Sequence, residues 1–160
     1  MAFVAEFIAW GQQEILHFGY AGLFLVVFLS SSTVLIPFIS IEPLIFFAGS
    51  LLDPVAVGLV AGFASGLGEM IGYYSGRLGE KIIFRERQWG PRTDLFKSRF
   101  KKFGFFAVFF FAAIPLVPYD VVGLYCGAMK YDIRKFFVAT LVGKTIRTLA
   151  LAIVGSRVLL

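Results

Sequence analysis

The sequence holds one cysteine, Cys126, and one histidine, His17, among 160 residues. Disulfide frameworks, His-rich metal sites and Cys-His or Ser-His-Asp nucleophilic chemistry therefore lack the residues they need. The chain is expected not to be an enzyme and to need no cofactor. Charge is scarce as well, at 16% of residues, and it is absent in one sign near the start: positions 1–19 carry Glu6 and Glu14 but no Lys or Arg. A cleaved signal peptide would open on a positive region, so this segment is read as part of the mature protein.

What the sequence has instead is apolar bulk. Hydrophobic residues make up 59% and twenty residues are Phe, far from the balance of a soluble domain. The expected fold is an all-α integral membrane protein forming a single domain over residues 1–160. The net charge of +5 is uneven: between Arg77 and Lys102 there are nine cations against Glu80, Glu86 and Asp94, a net +6. Flanked by membrane segments, that run reads as a cytoplasmic loop of a multi-pass protein in the cell membrane, not as a nucleic-acid surface.

Taken in order, residues 3–18 are too polar to span a bilayer and suit an interfacial amphipathic helix. Tyr20 to Ile36 is apolar but short of the roughly 20 residues a crossing needs. It is followed by a broken stretch, Ile36-Pro37 to Gly49, with Glu42 between Pro37 and Pro43. Two prolines remove two donors and push their predecessors out of the helical region, so the stretch should unwind near Glu42. Unwound backbone at membrane depth is tolerated only inside protein or beside water, which predicts a re-entrant hairpin whose second arm is Leu44 to Leu52. Asp53-Pro54 is a helix start, Asp53 capping. Val55 to Gly76 is long enough to span and carries two glycine ladders, Gly58, Gly62, Gly66 and Gly68, Gly72, Gly76, which mark packing faces and leave homo-oligomerisation open. After the basic run, Phe103 to Leu116 and Val121 to Met129 form a second pair of short arms, Lys130 to Lys135 a loop, and Phe136 to Gly155 a second spanning segment.

The two broken stretches superpose at an offset of 78: Ile114-Pro115 falls on Ile36-Pro37, Asp120 on Glu42, Gly127 on Gly49, and Arg147 on Glu69. Matching prolines, acids and glycines are harder to obtain by composition than matching apolar letters. The expectation is an inverted repeat, about 1–79 and 80–160, each half supplying one re-entrant hairpin and one spanning helix.

Five ionisable residues fall within the apolar segments: Glu42, Glu69, Asp120, Lys144 and Arg147. Unpaired, they would cost on the order of 15 kcal/mol in a bilayer, so they should face the interior and pair. Arg147 is expected to meet Glu69 or Glu42, and Asp120 to meet Lys144. Tyr73, one turn beyond Glu69, and Tyr119 beside Asp120 are secondary candidates. Arg77 is another, although at a helix end it reads better as snorkelling to the interface. A metal site from Glu42, Glu69 and Asp120 is disfavoured by the neighbouring cations. Cys126 reads as a small core residue.

These residues resemble a family. The stretch IPFISIEPLIFFAG, the segment GLGEMIGYYSGRLG and the second half from Lys102 to Arg147 are similar to the DedA family, also called the VTT or SNARE-associated family, in its small prokaryotic form. The resemblance spans about Phe18 to Gly155. It implies re-entrant hairpins in inverted orientation and movement of lipids across the bilayer, polyprenyl phosphate in some members and phospholipids in others, with proton-motive force involved in several. By position, Glu42 and Glu69 match the family's acids, with Tyr73, Gly76 and Arg77 following. The second hairpin departs: larger members carry arginines around its Ile-Pro, where this chain has Ala113 before Ile114-Pro115. Either Lys144 and Arg147 take over the head-group work or the substrate differs. The expected function is a flippase or scramblase for an anionic phospholipid or polyprenyl phosphate. Its working groups would be Glu42, Glu69 and Asp120 for protons and Lys144 and Arg147 for the head group. The alternatives are a proton-coupled small-ion or solute transporter, and a scaffold that binds partners through the basic run.

Overall fold

A computed structural model describes residues 2–32, 41–79, 91–114 and 119–158, with side chains from Glu6 onward except those of 91–99, 101 and 102. The proline breaks at 33–40 and 115–118 and the first part of the basic run, 80–90, lie outside the described residues. The described chain is all-helical: α1 (Ala2–Phe18), α2 (Tyr20–Ser32), α3 (Glu42–Leu51), α4 (Pro54–Leu78), α5 (Pro91–Ala113), α6 (Tyr119–Ala128) and α7 (Ile133–Val158).

Local chemistry sets the boundaries. Gly19 takes φ +57° and closes α1 with its N–H on the Ile15 carbonyl at 2.8 Å, while its own carbonyl already starts α2. A residue with a Cβ is strained in that conformation. Asp53 caps α4, its carboxylate accepting from the Ala56 N–H at 2.8 Å, and Pro54 holds the first helical position, as the sequence predicts. Asp132 caps α7 in the same way through the Lys135 N–H at 2.9 Å.

Among the described residues two helices are long and apolar enough to cross a bilayer, α4 with 25 residues and α7 with 26. At 1.5 Å per residue each reaches about 37 Å, past the roughly 30 Å hydrocarbon core. Helices α2, α3 and the apolar end of α5 (Phe103–Ala113) are shorter. The basic run corrects one expectation. Its second part is not loop, because α5 already begins at Pro91. Proline suits a first helical position, and Lys and Arg are good helix formers whatever their hydropathy. Likewise α7 starts at Ile133, before the expected Phe136.

The spanning helices pack on each other in opposite directions. Gly58 faces Leu149, Gly62 faces Thr145 and Gly66 faces Leu141. A methyl on Gly58 would lie 2.6 Å from the Leu149 Cα, so the first glycine ladder lets the two backbones touch. Thr148 ties the seam, its hydroxyl 2.7 Å from the Gly58 carbonyl. The second ladder divides between neighbours, Gly68 against Ser31 of α2 and Gly76 against Leu124 of α6.

Around this seam the short helices exchange places. Helix α3 docks on α7, and α6 docks on α4. The contacts recur at the offset of 78 or within one residue of it. Ser31 and Ser65 meet through their hydroxyls at 3.0 Å, and Phe109 and Gly143 meet at the matching positions. Phe46 against Gly155 is matched by Leu124 against Gly76, and Gly49 against Ala152 by Gly127 against Tyr73. The described residues form two cores. One takes Leu23, Val26, Leu44, Ile45 and Ala61 from the first half with Ala152 from the second. The other takes Val108, Tyr119, Cys126, Phe136 and Ala139 from the second half with Tyr73 from the first. Large apolar side chains are left exposed at four-residue spacing, Val55, Leu59 and Phe63 on α4 and Val138, Val142 and Ile146 on α7. Contiguous exposed apolar surface of this kind suits lipid.

A paired-charge centre between the spanning helices

The five ionisable residues assemble around the α4–α7 seam. Lys144 donates from Nζ to Glu69 Oε1 at 2.8 Å, and the two side chains keep only 9% and 2% of their surface. Nζ also lies 4.8 Å from the centre of the Tyr119 ring, a placement in which the ring face attracts the cation. The Tyr119 hydroxyl shares a 2.6 Å hydrogen bond with Thr140, one turn before Lys144 on α7. Asp120, at the start of α6, lies within Coulombic reach of both Lys144 and Glu69. Among the described residues Glu69 Oε2 has no hydrogen-bond partner, and it faces Gly123 of α6.

The second pair is Arg147 with Glu42. It is less enclosed, with 12% and 25% of the two side chains exposed. Glu42 begins α3 beside Pro43, and no side chain caps that helix at Ile41. Both ion pairs therefore join an acid from the first half to a cation from α7.

The expected pairing is partly corrected. Arg147 meets Glu42, one of its two expected partners, but the direct partner of Lys144 is Glu69, with Asp120 acting from farther away. The antiparallel register explains this. It sets Phe63 level with Lys144 and Val60 level with Arg147. Glu69 is then about 9 Å along the axis from the level of Lys144 and about 13.5 Å from that of Arg147. Two extended side chains bridge the first distance and not the second.

Of the secondary candidates, Tyr119 belongs to the centre. Tyr73 is buried in the neighbouring core, donating its hydroxyl to the Tyr131 carbonyl and packing on Phe136 at 5.1 Å. Arg77 is exposed at the end of α4 and interacts with the Tyr73 hydroxyl. Two contributors escaped the sequence reading: Thr140, which its spacing of four from Lys144 could have flagged, and Gly123, which only the α6–α4 contact reveals. Among the described residues no group of three His, Cys, Asp or Glu is placed to hold a metal ion.

The fold and centre together define a helical membrane protein whose spanning helices enclose paired charges. Comparison places it more narrowly. The VTT domain profile matches residues 36–157, and the chain belongs to that family, the DedA family. Undecaprenyl phosphate transporter A of Staphylococcus aureus (strain NCTC 8325 / PS 47) is 30% identical over 166 aligned residues, covering 95% of this chain and 76% of that protein. No solved structure matches.

Proposed function

We propose that the protein moves an anionic lipid phosphate, of the polyprenyl phosphate or phospholipid class, across the cell membrane, with proton coupling. One observation carries this reading. Both ion pairs, Glu42–Arg147 and Glu69–Lys144, cross from one half of the chain to the other. Any rocking of the halves must break them, so whatever replaces a partner of either pair biases the movement. A head-group phosphate can replace the carboxylate on a cation, and a proton can cancel the charge of an acid left behind. Three acids face two cations, so with every group ionised one negative charge is left over, which one proton neutralises.

The architecture proposed with it is the inverted repeat, about 1–79 and 80–160. Support comes from the contacts that recur at the offset of 78 and from the antiparallel α4 and α7. Helix α3 runs 10 residues from Glu42 toward the Asp53 turn, and α6 runs 10 residues from Tyr119 toward the Lys130 turn. Each is about 15 Å long, half a bilayer core. Re-entrant hairpins entering from opposite faces would thus bring Glu42 and Asp120 to the midplane. The basic run 77–102 is assigned to the cytoplasm by the positive-inside rule.

The relative's transport of undecaprenyl phosphate agrees with this substrate class. The test is translocation in proteoliposomes, resolved by head group, with and without a pH gradient. Faster flipping of lipid phosphate than in protein-free liposomes is expected, and its rate should respond to the gradient. Solute or proton flux indifferent to head group would replace this reading with a solute transporter.

A further inference from the structure

The two pairs of the centre differ in access through their acids, Glu69 keeping 2% of its side-chain surface and Glu42 25%. Lys144 is enclosed by Glu69, the Tyr119 ring and its own helix. Arg147 and Glu42 keep 12% and 25% of their side-chain surface, so an incoming group reaches this pair first, from the Glu42 side. The start of α3 offers an anion little by itself. Pro43 has no N–H, and the N–H groups of Leu44 and Ile45 both turn back to the Ile41 carbonyl at 3.1 Å. The guanidinium is therefore what holds an anion at this position, and its fork donates to carboxylate and phosphate oxygens in the same geometry.

We infer that Glu42 is a resident stand-in for the substrate's phosphate: at rest its carboxylate occupies the anion position on Arg147, and a lipid phosphate binds by displacing it. The inference rests on the lipid-phosphate reading above and deepens it by making Glu42 a specificity residue. A phosphate monoester, with a charge of about −1.5 to −2 near neutral pH, displaces one carboxylate more readily than a singly charged diester does. Arg147 is the binding group, and Glu42 sets how hard it is to reach. The arrangement also separates binding from turnover. Without its carboxylate, position 42 no longer competes for Arg147, and nothing returns to the guanidinium to drive the head group off.

The test uses the full chain in detergent with dioctanoyl phosphatidic acid, a monoester, and dioctanoyl phosphatidylglycerol, a diester, titrated by calorimetry. Glu42→Gln should bind phosphatidic acid roughly fivefold more tightly than wild type, the factor by which removing an ion pair worth about 1 kcal/mol raises the competent population. It should also narrow the preference for the monoester. Arg147→Lys keeps a cation, and with it the fold, but loses the fork, and should bind about tenfold more weakly. If Glu42→Gln binds equally or less tightly while Arg147→Lys is weakened, Glu42 is no competitor and the inference falls with the lipid-phosphate reading intact. If neither wild type nor any variant binds either lipid, the reading itself falls and takes the inference with it.

Discussion

Replacing Lys144 by Met tests whether the enclosed pair holds the halves together. Glu69 is 1% exposed, and its second oxygen already lacks a hydrogen-bond partner among the described residues. Removing the cation leaves a buried carboxylate within Coulombic reach of a second acid, Asp120. Breaking a buried pair from one side costs about 3 to 5 kcal/mol. A carboxylate alone at mid-span costs about 2.5 to 3.5 kcal/mol on the insertion scale, so about 3 kcal/mol is expected. For a chain of this size that lowers the unfolding midpoint by roughly 6 to 12 °C. Glu69→Gln should be milder, about 1 kcal/mol, because Lys144 keeps the Tyr119 ring at 4.8 Å and the Coulombic attraction of Asp120. The double variant should be more stable than Lys144→Met alone, a coupling of about 2 kcal/mol. Thermal unfolding in detergent, followed by the near-ultraviolet circular dichroism of the packed aromatics, measures all three. Equal effects of the two single changes, or a double variant that merely adds them, would refute the assignment of Lys144 as the counter-charge of Glu69.

Three further changes probe other parts of the structure. Glu42→Gln should abolish lipid flipping in proteoliposomes yet move the unfolding midpoint by less than about 4 °C, since its pair is less enclosed than Glu69–Lys144 and worth about 1 kcal/mol; unchanged flipping would remove Glu42 from the transport machinery. Gly58→Leu places side-chain atoms where even a Cβ would lie 2.6 Å from the Leu149 Cα. It should separate α4 from α7 at about 3 kcal/mol, read as a lowered midpoint, whereas Val55→Leu on the exposed face should leave the midpoint unchanged. Asp132 is exposed, and the Lys135 N–H it accepts holds its carboxyl below the usual carboxylate range. A depressed folded value means that its contribution is present above the unfolded value and disappears as pH falls through the folded one. Asp132→Ala should therefore lower stability at neutral pH, while wild type and variant converge below about pH 3.8; a constant difference across that range would contradict the cap.

Features that depend on a few neighbouring residues were legible before any coordinates. The Asp53-Pro54 helix start, the two spanning segments and the packing role of Gly58, Gly62 and Gly66 follow from capping, length and spacing. The start of α5 was hidden because hydropathy reports depth in a membrane and not helix formation, so the cations after Pro91 read as loop. Partner choice was legible only as a short set of options. Which acid Lys144 takes depends on the axial register of α4 against α7, fixed by glycine contacts whose partners on α7, Leu141, Thr145 and Leu149, are residue types that do not mark them out. Glu69 against Gly123, and Tyr119 against Thr140, were hidden for the same reason: each needs α6 seated in its groove.

The contacts recurring at the offset of 78 also explain why the centre is lopsided. At matching positions Glu42 meets Arg147, while Asp120 lies within Coulombic reach of Glu69. The same offset thus sets opposite charges against each other on one side and like charges on the other. Two carboxylates within Coulombic reach of each other away from water need a cation, and Lys144 supplies it from the position that corresponds to Gly66, where the first half has no side chain at all. That single difference, a lysine where its counterpart is a glycine, makes one pair enclosed and shared among three charges and leaves the other less enclosed. The enclosed triad resists opening, so a first displacement should begin at Glu42 and Arg147. Movement of one half against the other would follow only once the charge on the Glu69 side has been balanced.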